Sequence, residues 1–390
     1  MSEIKKLIER LCPDGVEYKK LGEICKTISA PRKLQKNEYQ DEGLFPVIDQ
    51  GQEFIVGYTD ETEGLLPSSE YVLYGDHTRI VKYYLGSFMQ GADGLKILKF
   101  NNLILTRYAY HAICHYNIPS VGYRRHWSLA KEIDIPVPPL EVQSKIVEIL
   151  DNFTELEAEL EAELEARRKQ YEYYRNKLLT FDKVGGARFD VKWMKMGEVS
   201  KCYSGATPKT SVASYWEDGT IPWMNSGEVN LGRVYKTENK ITQLGYDSCS
   251  TKMVPAHTVV IALAGQGKTR GTVAITEIDL CTNQSLCAVE VDNNKIDSYY
   301  LWHYLRGQYQ TLRKISSGDG TRGGLNQNMI RNFEIPVPPL EKQRGLANIL
   351  DRFEALTTDL QSGLPAEIEA RRKQYEYYRE KLLTFKRKTA

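Results

Sequence analysis

Apolar residues recur at steps of three, four and seven between residues 140 and 181, and Glu, Lys and Arg fill most of the positions between them. This near-heptad spacing predicts one amphipathic α-helix with a narrow apolar stripe. Pro138 and Pro139 directly precede it, and proline is well tolerated at the first helical position. A helix from Leu140 to Phe181 would be about 60 Å long and needs a partner for its stripe. The stripe consists of Ile146, Leu150, Phe153, Leu156, Leu160, Leu164, Tyr171, Tyr174 and Leu178.

The same pattern occurs twice in the chain. IPVPPLEVQ at 135–143 returns as IPVPPLEKQ at 335–343, and the block at 165–181 returns at 369–385 with a single substitution. The second copy is therefore the expected partner of the first helix. We expect the two long helices to pack as an antiparallel coiled coil that separates two variable domains.

The segment between the repeated blocks differs between the two copies. Three Glu-Leu-Glu-Ala units fill residues 155–166 of the first copy. The second copy is four residues longer here and contains Gly363 and Pro365, which predict a kink or break. Each tetrapeptide adds about 6 Å of helix. Helices that change length by whole units are suited to setting the distance between two domains, although a solvated Glu-rich surface gives the same pattern.

The variable blocks contain β-branched and aromatic runs bounded by Gly-rich turns, which predict short strands. The sequence therefore predicts an α+β fold with an internal pseudo-twofold repeat. The predicted strands are Tyr71–Tyr74, Ile80–Leu85, Thr258–Leu263 and Thr272–Ile278, and the clearest helix is Tyr299–Arg313. The predicted segments are a mixed α/β domain at 1–132, a helical region at 133–185, a second α/β domain at 186–332 and a second helical region at 333–390.

Composition narrows the class of protein. No apolar run approaches the roughly 20 residues of a membrane-spanning helix, and the N-terminus has charges where a signal peptide needs an apolar core. The seven cysteines contain no CxxC pair, which suits a reducing cytoplasm. The net charge is +1, so any contact with nucleic acid must come from local clusters of charge.

The segment Ala262–Thr269, ALAGQGKT, satisfies a relaxed phosphate-binding P-loop pattern. A P-loop needs a helix that begins at its Lys-Thr pair, so that backbone amides meet the phosphates. The following residues, Arg270–Ile275, favour a strand instead and predict a β-hairpin. Nucleotide hydrolysis remains an alternative, for which a Lys268→Ala variant would abolish ATP hydrolysis by the purified chain.

Over essentially its whole length the chain resembles a specificity subunit of a type I restriction–modification enzyme. The resemblance rests on IPVPPLExQ opening a long helix, on two variable domains alternating with two repeated helical regions, and on the tetrapeptide array. Shorter segments add to it, namely GDHTR at 75–79, ATPK at 206–209, YWEDGTIPW at 215–223 and TNQ at 282–284.

The resemblance implies a subunit without chemistry of its own. In that family each variable domain reads one half of a bipartite, asymmetric site in double-stranded DNA, and the paired helices set the spacer. Two modification subunits, which bind S-adenosylmethionine and methylate adenine, dock on the helical regions, and two restriction subunits that use ATP and Mg²⁺ join some complexes. Cofactors are thus expected on partners and not on this chain. A type II recognition subunit with a fused nuclease–methyltransferase partner and a structural coiled-coil scaffold remain alternatives.

The candidate DNA contacts are polar or basic side chains in Gly-rich or strand-end loops. Gln and Asn suit adenine edges, Arg suits guanine and Lys suits phosphate, while an ordinary solvated turn is the alternative in each case. The candidates are Gln50, Gln52, His77, Thr78 and Arg79 in the first variable domain, and Lys209, Asn225, Gln266, Lys268, Thr269, Arg270, Thr321 and Arg322 in the second.

Other residue clusters have more ordinary interpretations. Trp216 and Trp223 are expected in the core. His111, Cys114 and His115 lie within five residues, but no fourth zinc ligand is nearby in the sequence, so no metal site is predicted. The repeated tyrosines exceed what one stripe needs, and those that point outward are expected to contact a partner subunit. The tyrosines are Tyr171, Tyr173, Tyr174, Tyr375, Tyr377 and Tyr378.

Overall fold

The computed structural model describes residues 2–91, 93–116, 118–119, 122, 124–181, 191–265, 269–316, 324–358 and 363–388. The chain forms two compact units. Unit 1 contains Met1–Ala162 and Glu367–Ala390, and unit 2 contains Glu163–Ala366. Each unit therefore combines one variable block with parts of both helical blocks, a grouping that cuts across the four predicted segments. Those segment boundaries stay a prediction.

Unit 1 is built around a six-stranded sheet in the order β2-β7-β5-β6-β3-β4. Only β3 and β6 run parallel in it, and helix α3 packs against β5 and β6. Its elements up to the long helix are α1 Ser2–Leu11, β1 Glu17–Lys20, α2 Leu21–Ile24, β2 Cys25–Ile28, β3 Phe45–Ile48, β4 Gly57–Thr59, β5 Leu66–Gly75, β6 Val81–Gln90, β7 Leu95–Phe100, α3 Thr106–His115, α4 Trp127–Ala130, β8 Asp134–Val137 and α5 Leu140–Leu178.

Unit 2 has a different sheet plan, with a five-stranded sheet β10-β18-β15-β16-β12 and a four-stranded sheet β13-β11-β17-β14. The predicted helix Tyr299–Arg313 is two helices, which meet at Gln308. The elements after α5 are β9 Lys192–Lys195, α6 Met196–Val199, β10 Ser200–Ser204, β11 Ile221–Met224, β12 Arg233–Val234, β13 Asn239–Ile241, α7 Gln243–Asp247, β14 Met253–Val254, β15 Val259–Ala262, β16 Val273–Thr276, β17 Leu280–Thr282, β18 Leu286–Val291, α8 Ser298–Gly307, α9 Tyr309–Ile315, α10 Gln327–Arg331, β19 Glu334–Val337, α11 Leu340–Thr358 and α12 Leu364–Leu383. From Glu367 onward, α12 belongs to unit 1.

The IPVPPLExQ motif begins each helical block in the same way. Its Ile-Pro-Val segment pairs antiparallel with a strand near the start of the half, β8 with β1 and β19 with β9. The amide of Gln143 donates to the Pro138 carbonyl at 2.7 Å, and that of Gln343 donates to the Pro338 carbonyl at 2.7 Å. Both glutamines are fully buried, so the motif fixes the angle at which the chain enters the helix.

Helix α5 is continuous over 39 residues, about 58 Å at 1.5 Å per residue. In unit 1, Phe153 stacks on Tyr378 with ring centroids 5.2 Å apart. Further along α5, Glu157 pairs with Arg372 at 2.9 Å, and Arg372 precedes Tyr378 in α12. The two helices therefore run antiparallel in unit 1. The predicted stripe is not buried throughout, since Leu156 is 43% exposed where the Glu-rich array begins.

The second helical block is described as two helices, α11 and α12, as the sequence predicted for this segment. Residues 359–362 lie outside the described part of the chain. Pro365 is the second residue of α12, a position where the missing amide hydrogen removes no helical hydrogen bond.

Candidate nucleic-acid interface

Both units carry the same turn after a strand that has a parallel neighbour. Asp49 follows β3, and its Oδ1 accepts a hydrogen bond from the Gly51 amide at 2.7 Å. Asn225 follows β11, and its Oδ1 accepts one from the Gly227 amide at 2.7 Å. β3 pairs in parallel with β6, and β11 pairs in parallel with β17. The two variable domains thus share this turn although their sheets differ.

The loop after the neighbouring strand is also held equivalently. The Gly91 amide, directly after β6, donates to the Ile48 carbonyl at 2.9 Å. The Asn283 amide, directly after β17, donates to the Met224 carbonyl at 3.1 Å. In open α/β sheets, ligands bind beside the carboxyl ends of parallel strands. These loop pairs are therefore candidate binding surfaces.

In unit 1 the side chain of Gln50 holds several loops together. Its Oε1 accepts from the His77 amide at 3.0 Å, and its Nε2 donates to the Asp93 carbonyl at 3.0 Å. The Thr78 hydroxyl donates to the Gln50 carbonyl at 2.6 Å. Both polar ends of Gln50 are therefore engaged inside the protein, where they position His77.

The buried anchor of the GDHTR segment is Asp76, whose side chain is 2% exposed. Its Oδ1 accepts from the Trp127 amide at 2.8 Å, and Lys96 Nζ lies 3.5 Å from its Oδ2. The Asp76 amide donates to the Gly94 carbonyl at 2.7 Å. Because Asp76 directly precedes His77, these contacts fix the backbone at His77.

A cleft of about 280 Å³ opens beside these loops and carries a basic rim. Lys33 Nζ donates to Asp93 Oδ1 at 2.6 Å. This hydrogen bond, together with the charges of Lys33 and Arg125, lowers the pKa of Asp93. The carboxylate thus stays ionised beside its two cations. The ionisable lining of this unit 1 cleft is Lys33, Asp76, His77, Asp93, Lys96 and Arg125.

The corresponding cleft of unit 2, about 660 Å³, is lined by amide side chains together with serines, Arg331 and apolar residues. The Thr207 hydroxyl donates to Gln284 Oε1 at 2.6 Å, and Gln327 Nε2 donates to the Ser204 hydroxyl at 3.0 Å. The polar lining of this unit 2 cleft is Ser204, Gln284, Ser285, Asn326, Gln327, Asn328 and Arg331. The two clefts therefore occupy equivalent places but present different chemistry, with six ionisable residues in unit 1 and mostly neutral polar residues, with Arg331 as the one charged residue of the described lining, in unit 2.

Backbone hydrogen bonds bring distant segments to the unit 2 cleft. The Leu263 amide donates to the Ser285 carbonyl at 2.8 Å, and the Leu325 amide donates to the Leu263 carbonyl at 2.9 Å. The end of β15, the TNQ loop and the segment that leads into α10 are thereby adjacent. Sequence separation concealed this grouping, although each segment had been singled out alone or in a family motif.

The ALAGQGKT segment is part of a β-hairpin, as predicted. β15 and β16 pair antiparallel with Ile261 opposite Val273, and Thr269 and Arg270 lie in a turn that leads to a strand rather than a helix. The Arg270 side chain is only 8% exposed. Four candidates, Gln266, Lys268, Thr321 and Arg322, lie outside the described residues.

The other candidates lie away from the two clefts. Arg79 adopts a left-handed backbone with φ 63° and donates to the Ile118 carbonyl at 2.7 Å. Gln52 and Lys209 are exposed loop residues. Trp223 is 6% exposed and meets Trp216 edge-to-face at 5.1 Å, which confirms core packing for this pair.

A buried histidine joins three helices in each unit. In unit 1, His111 of α3 lies 2.7 Å from Asp151 of α5 and 3.4 Å from the Tyr375 hydroxyl of α12. In unit 2, His303 of α8 lies 2.8 Å from Asp351 of α11 and 2.9 Å from the Tyr171 hydroxyl of α5. We call these two groups the histidine clamps.

Burial lowers the pKa of His111 and of His303, against the opposing effect of the neighbouring aspartate. A neutral ring donates from Nε2 to the carboxylate and accepts the tyrosine hydroxyl at Nδ1. Burial raises the pKa of Asp351, but hydrogen bonds from His303 and Arg233 outweigh it, so the net shift is downward. Each clamp is thus a neutral imidazole between an ionised carboxylate and a phenol.

The repeated tyrosines divide by environment. Tyr171 and Tyr375 belong to the histidine clamps, while Tyr174 stacks on Phe353 at 5.6 Å within unit 2, as Tyr378 does on Phe153 in unit 1. Tyr173 is 57% exposed and Tyr377 is 58% exposed. Only the last two present most of their ring to solvent.

Within the described residues, no group of three His, Cys, Asp or Glu side chains is arranged to hold a metal ion, and His115 lies 3.6 Å from Glu380. No helix in the described part of the chain has the length and apolarity needed to cross a membrane.

Sequence reasoning missed Lys33 and Arg125 in unit 1 and Gln284 in unit 2 as parts of the clefts, and it missed Asp49 in the turn after β3. One signal was available, because Asp49-Gln-Gly51 and Asn225-Ser-Gly227 both have the Asx-x-Gly spacing that favours a turn closed by the side chain. The basic residues carried no such signal, since only folding brings them to the loops.

Comparison with known proteins agrees with this geometry. The family described as "Type I restriction modification DNA specificity domain" matches residues 13–166 and 190–370. The chain is 35% identical over 406 residues to the type I restriction enzyme EcoR124I/EcoR124II specificity subunit of Escherichia coli, covering 99% of this chain and 98% of that protein. It is 30% identical to a putative type I specificity subunit of Haemophilus influenzae, covering 99% and 100%.

The fold is also similar to a solved structure of a type I restriction–modification S subunit from M. genitalium, with a TM-score of 0.63 over 95% of this chain and 96% of that one at 16% identity. Both halves of this chain match the specificity domain, and the match extends over nearly the full length of its relatives. The chain therefore belongs to the type I restriction–modification specificity subunits, which are non-catalytic DNA-recognition subunits.

Proposed function

We propose that the chain reads a bipartite, asymmetric site in double-stranded DNA, one half with each unit, and directs adenine methylation by partner subunits. The observation that carries this proposal is the presence of two unlike recognition domains on a duplicated helical framework. Unit 1 has one six-stranded sheet, whereas unit 2 has sheets of five and four strands. Because the two domains present different side chains, the two half-sites have different sequences.

The helical framework supports a spacer role. The Glu-Leu-Glu-Ala array lies inside the continuous helix α5, where each added unit lengthens the helix by about 6 Å. Insertion or deletion of one unit is expected to change the spacer and leave both half-sites as they are. Altered half-site bases would contradict this spacer role.

The outward face of the repeated block supports docking of two modification subunits. Residues 165–181 and 369–385 are identical except at one position, including exposed residues such as Tyr173 and Tyr377. Packing inside the chain constrains only the inward residues, so identity on the outward face is explained by two copies of one partner. Under this proposal S-adenosylmethionine binds the modification subunits, ATP and Mg²⁺ bind any restriction subunits, and the complex works in the cytoplasm.

The test is long-read methylation sequencing of cells with and without the gene, with the partner genes intact. Loss of one bipartite methyladenine motif is the expected result, and an unchanged methylome in expressing cells would refute the proposal. A structural scaffold would leave methylation unchanged. A type II system would carry nuclease and methyltransferase on one partner polypeptide, which purification of the complex would reveal.

A further inference from the structure

We propose that base readout takes place at the two equivalent clefts beside the parallel strand pairs, and that Gln284 is a specificity-determining residue of unit 2 that reads an adenine edge in the major groove. This inference rests on the proposed function. It assigns the reading surface to the clefts lined by the loops that follow β6 and β17, and the turns at Asp49 and Asn225 support those loops. No residue outside the described part of the chain is needed for it.

The equivalence of the two places is the first step. The domains differ in sheet order, yet each has an Asx-x-Gly turn after one strand and a loop hydrogen-bonded to it after the parallel neighbour. Two domains that bind different half-sites need the same backbone arrangement with different side chains on it. The side chains are charged in unit 1, as at Lys33 and Arg125, and amides in unit 2.

The chemistry of Gln284 is the second step. Its side chain is exposed, and the Thr207 hydroxyl holds its Oε1 at 2.6 Å. An amide pre-oriented in this way offers Nε2–H to adenine N7 and the second lone pair of Oε1 to adenine N6, the bidentate pairing typical of Gln. In unit 1, Asp76 and Gln50 fix the backbone at His77, and the same cleft is lined by Lys33 and Arg125, which are suited to phosphate.

The experiment is methylome sequencing of cells that carry the complete system with single variants of this chain. Gln284→Ala is expected to relax one adenine position in the unit 2 half-site by about 5- to 150-fold in base preference, the range for loss of one bidentate contact, with the other half-site unchanged. Thr207→Val is expected to relax the same position less. Gln243→Ala is the matched control, since Gln243 is an exposed glutamine of unit 2 outside the cleft.

In unit 1, His77→Ala is expected to change only the half-site that unit 1 reads. The double variant Lys33→Ala, Arg125→Ala is expected to reduce methylation evenly across sequences, because phosphate contacts carry no base information. Gln284→Glu is a second variant for the case in which Gln284→Ala does not fold. Glutamate cannot donate a hydrogen bond to adenine N7, so this variant is expected to lose the preference for adenine. An intact unit 2 half-site with folded Gln284→Ala or Gln284→Glu protein overturns the inference. If the wild-type chain yields a bipartite motif in that case, the proposed function survives alone.

Discussion

The recognition domains of unit 1 and unit 2 attach to the long helices through equivalent histidine–aspartate pairs, but the arginines that bind the aspartates come from different positions. In unit 1, Arg107 of α3 donates to Asp151 at 2.8 Å and lies over the Tyr83 ring at 4.3 Å. The Asp151 carboxylate is 27% exposed, and its partners among the described residues are this arginine and His111.

In unit 2 the position of Arg107 is taken by Tyr299, and the arginine comes instead from β12. Arg233 pairs with Asp351, donates to Glu277 at 2.9 Å and to Glu354 at 3.0 Å. Its guanidinium also lies 4.5 Å from the Trp302 ring centroid. The comparison shows that the aspartate and tyrosine of the helical blocks bind a histidine in the same way in both units, while each recognition domain supplies its arginine from a different element.

The largest expected difference follows from removing the two arginines. Arg233→Ala leaves Glu277, Glu354 and Asp351 without their shared cation in a mostly buried site, and is expected to cost about 3–5 kcal/mol. Arg107→Ala is expected to cost about 1–2 kcal/mol, because its carboxylate partner is partly solvated and keeps His111. Urea unfolding followed by circular dichroism measures both variants. Equal losses would show that the two attachments are energetically alike.

The next effect tests the strand that leads into the unit 2 cleft. A Cβ on Gly205 would overlap the Thr282 carbonyl oxygen, so Gly205→Ala is expected to destabilise unit 2 by about 1–3 kcal/mol. Ala30, its counterpart in unit 1, already has a Cβ and packs in the core, so Ala30→Gly is the matched control at about 1 kcal/mol. Tryptophan fluorescence reports mainly on unit 2, which holds Trp193, Trp216, Trp223 and Trp302. An unperturbed Gly205→Ala protein would contradict the close approach.

The two histidine clamps are expected to differ more modestly. The Tyr171 hydroxyl accepts from Arg306 at 3.2 Å and binds His303 at 2.9 Å, so Tyr171→Phe is expected to cost about 1–2 kcal/mol. Tyr375→Phe removes a longer contact to His111, 3.4 Å, and is expected to cost less, about 0.5 kcal/mol. Thermal unfolding of both single variants and the double variant measures the difference. A larger loss for Tyr375→Phe would reverse the ranking.

The smallest effect is a pH dependence shared by both units. The pKa values of His111 and His303 lie below the ordinary value of 6.5, so the unfolded chain binds more protons than the folded chain in that range. Stability is therefore fully present above pH 6.5 and falls as the pH drops below it. Melting temperatures between pH 7.5 and 5.5 are expected to decline less for His111→Gln and His303→Gln than for the wild type. Identical slopes would contradict neutral buried imidazoles.

Much of the helical framework was predictable because it depends on local signals. Proline before an apolar periodicity placed the start of α5 at Leu140, and Gly363 and Pro365 marked the second helical block as two helices. The strands around Tyr71–Tyr74 and Thr258–Leu263 were found as parts of β5 and β15. The burial of the stripe was predicted less well, since Leu156 stays exposed beside charged neighbours.

The sequence by itself determined the duplication, the helix starts, the hairpin at ALAGQGKT and the family, because each is written in contiguous residues. Only the tertiary structure decided that Tyr171 is hydrogen-bonded to His303 and that Gln284 lines the same cleft as Gln327. It alone related Asp49 to Asn225. Parallel strand pairing and packing between distant helices join residues far apart in the chain, and no local propensity specifies such contacts.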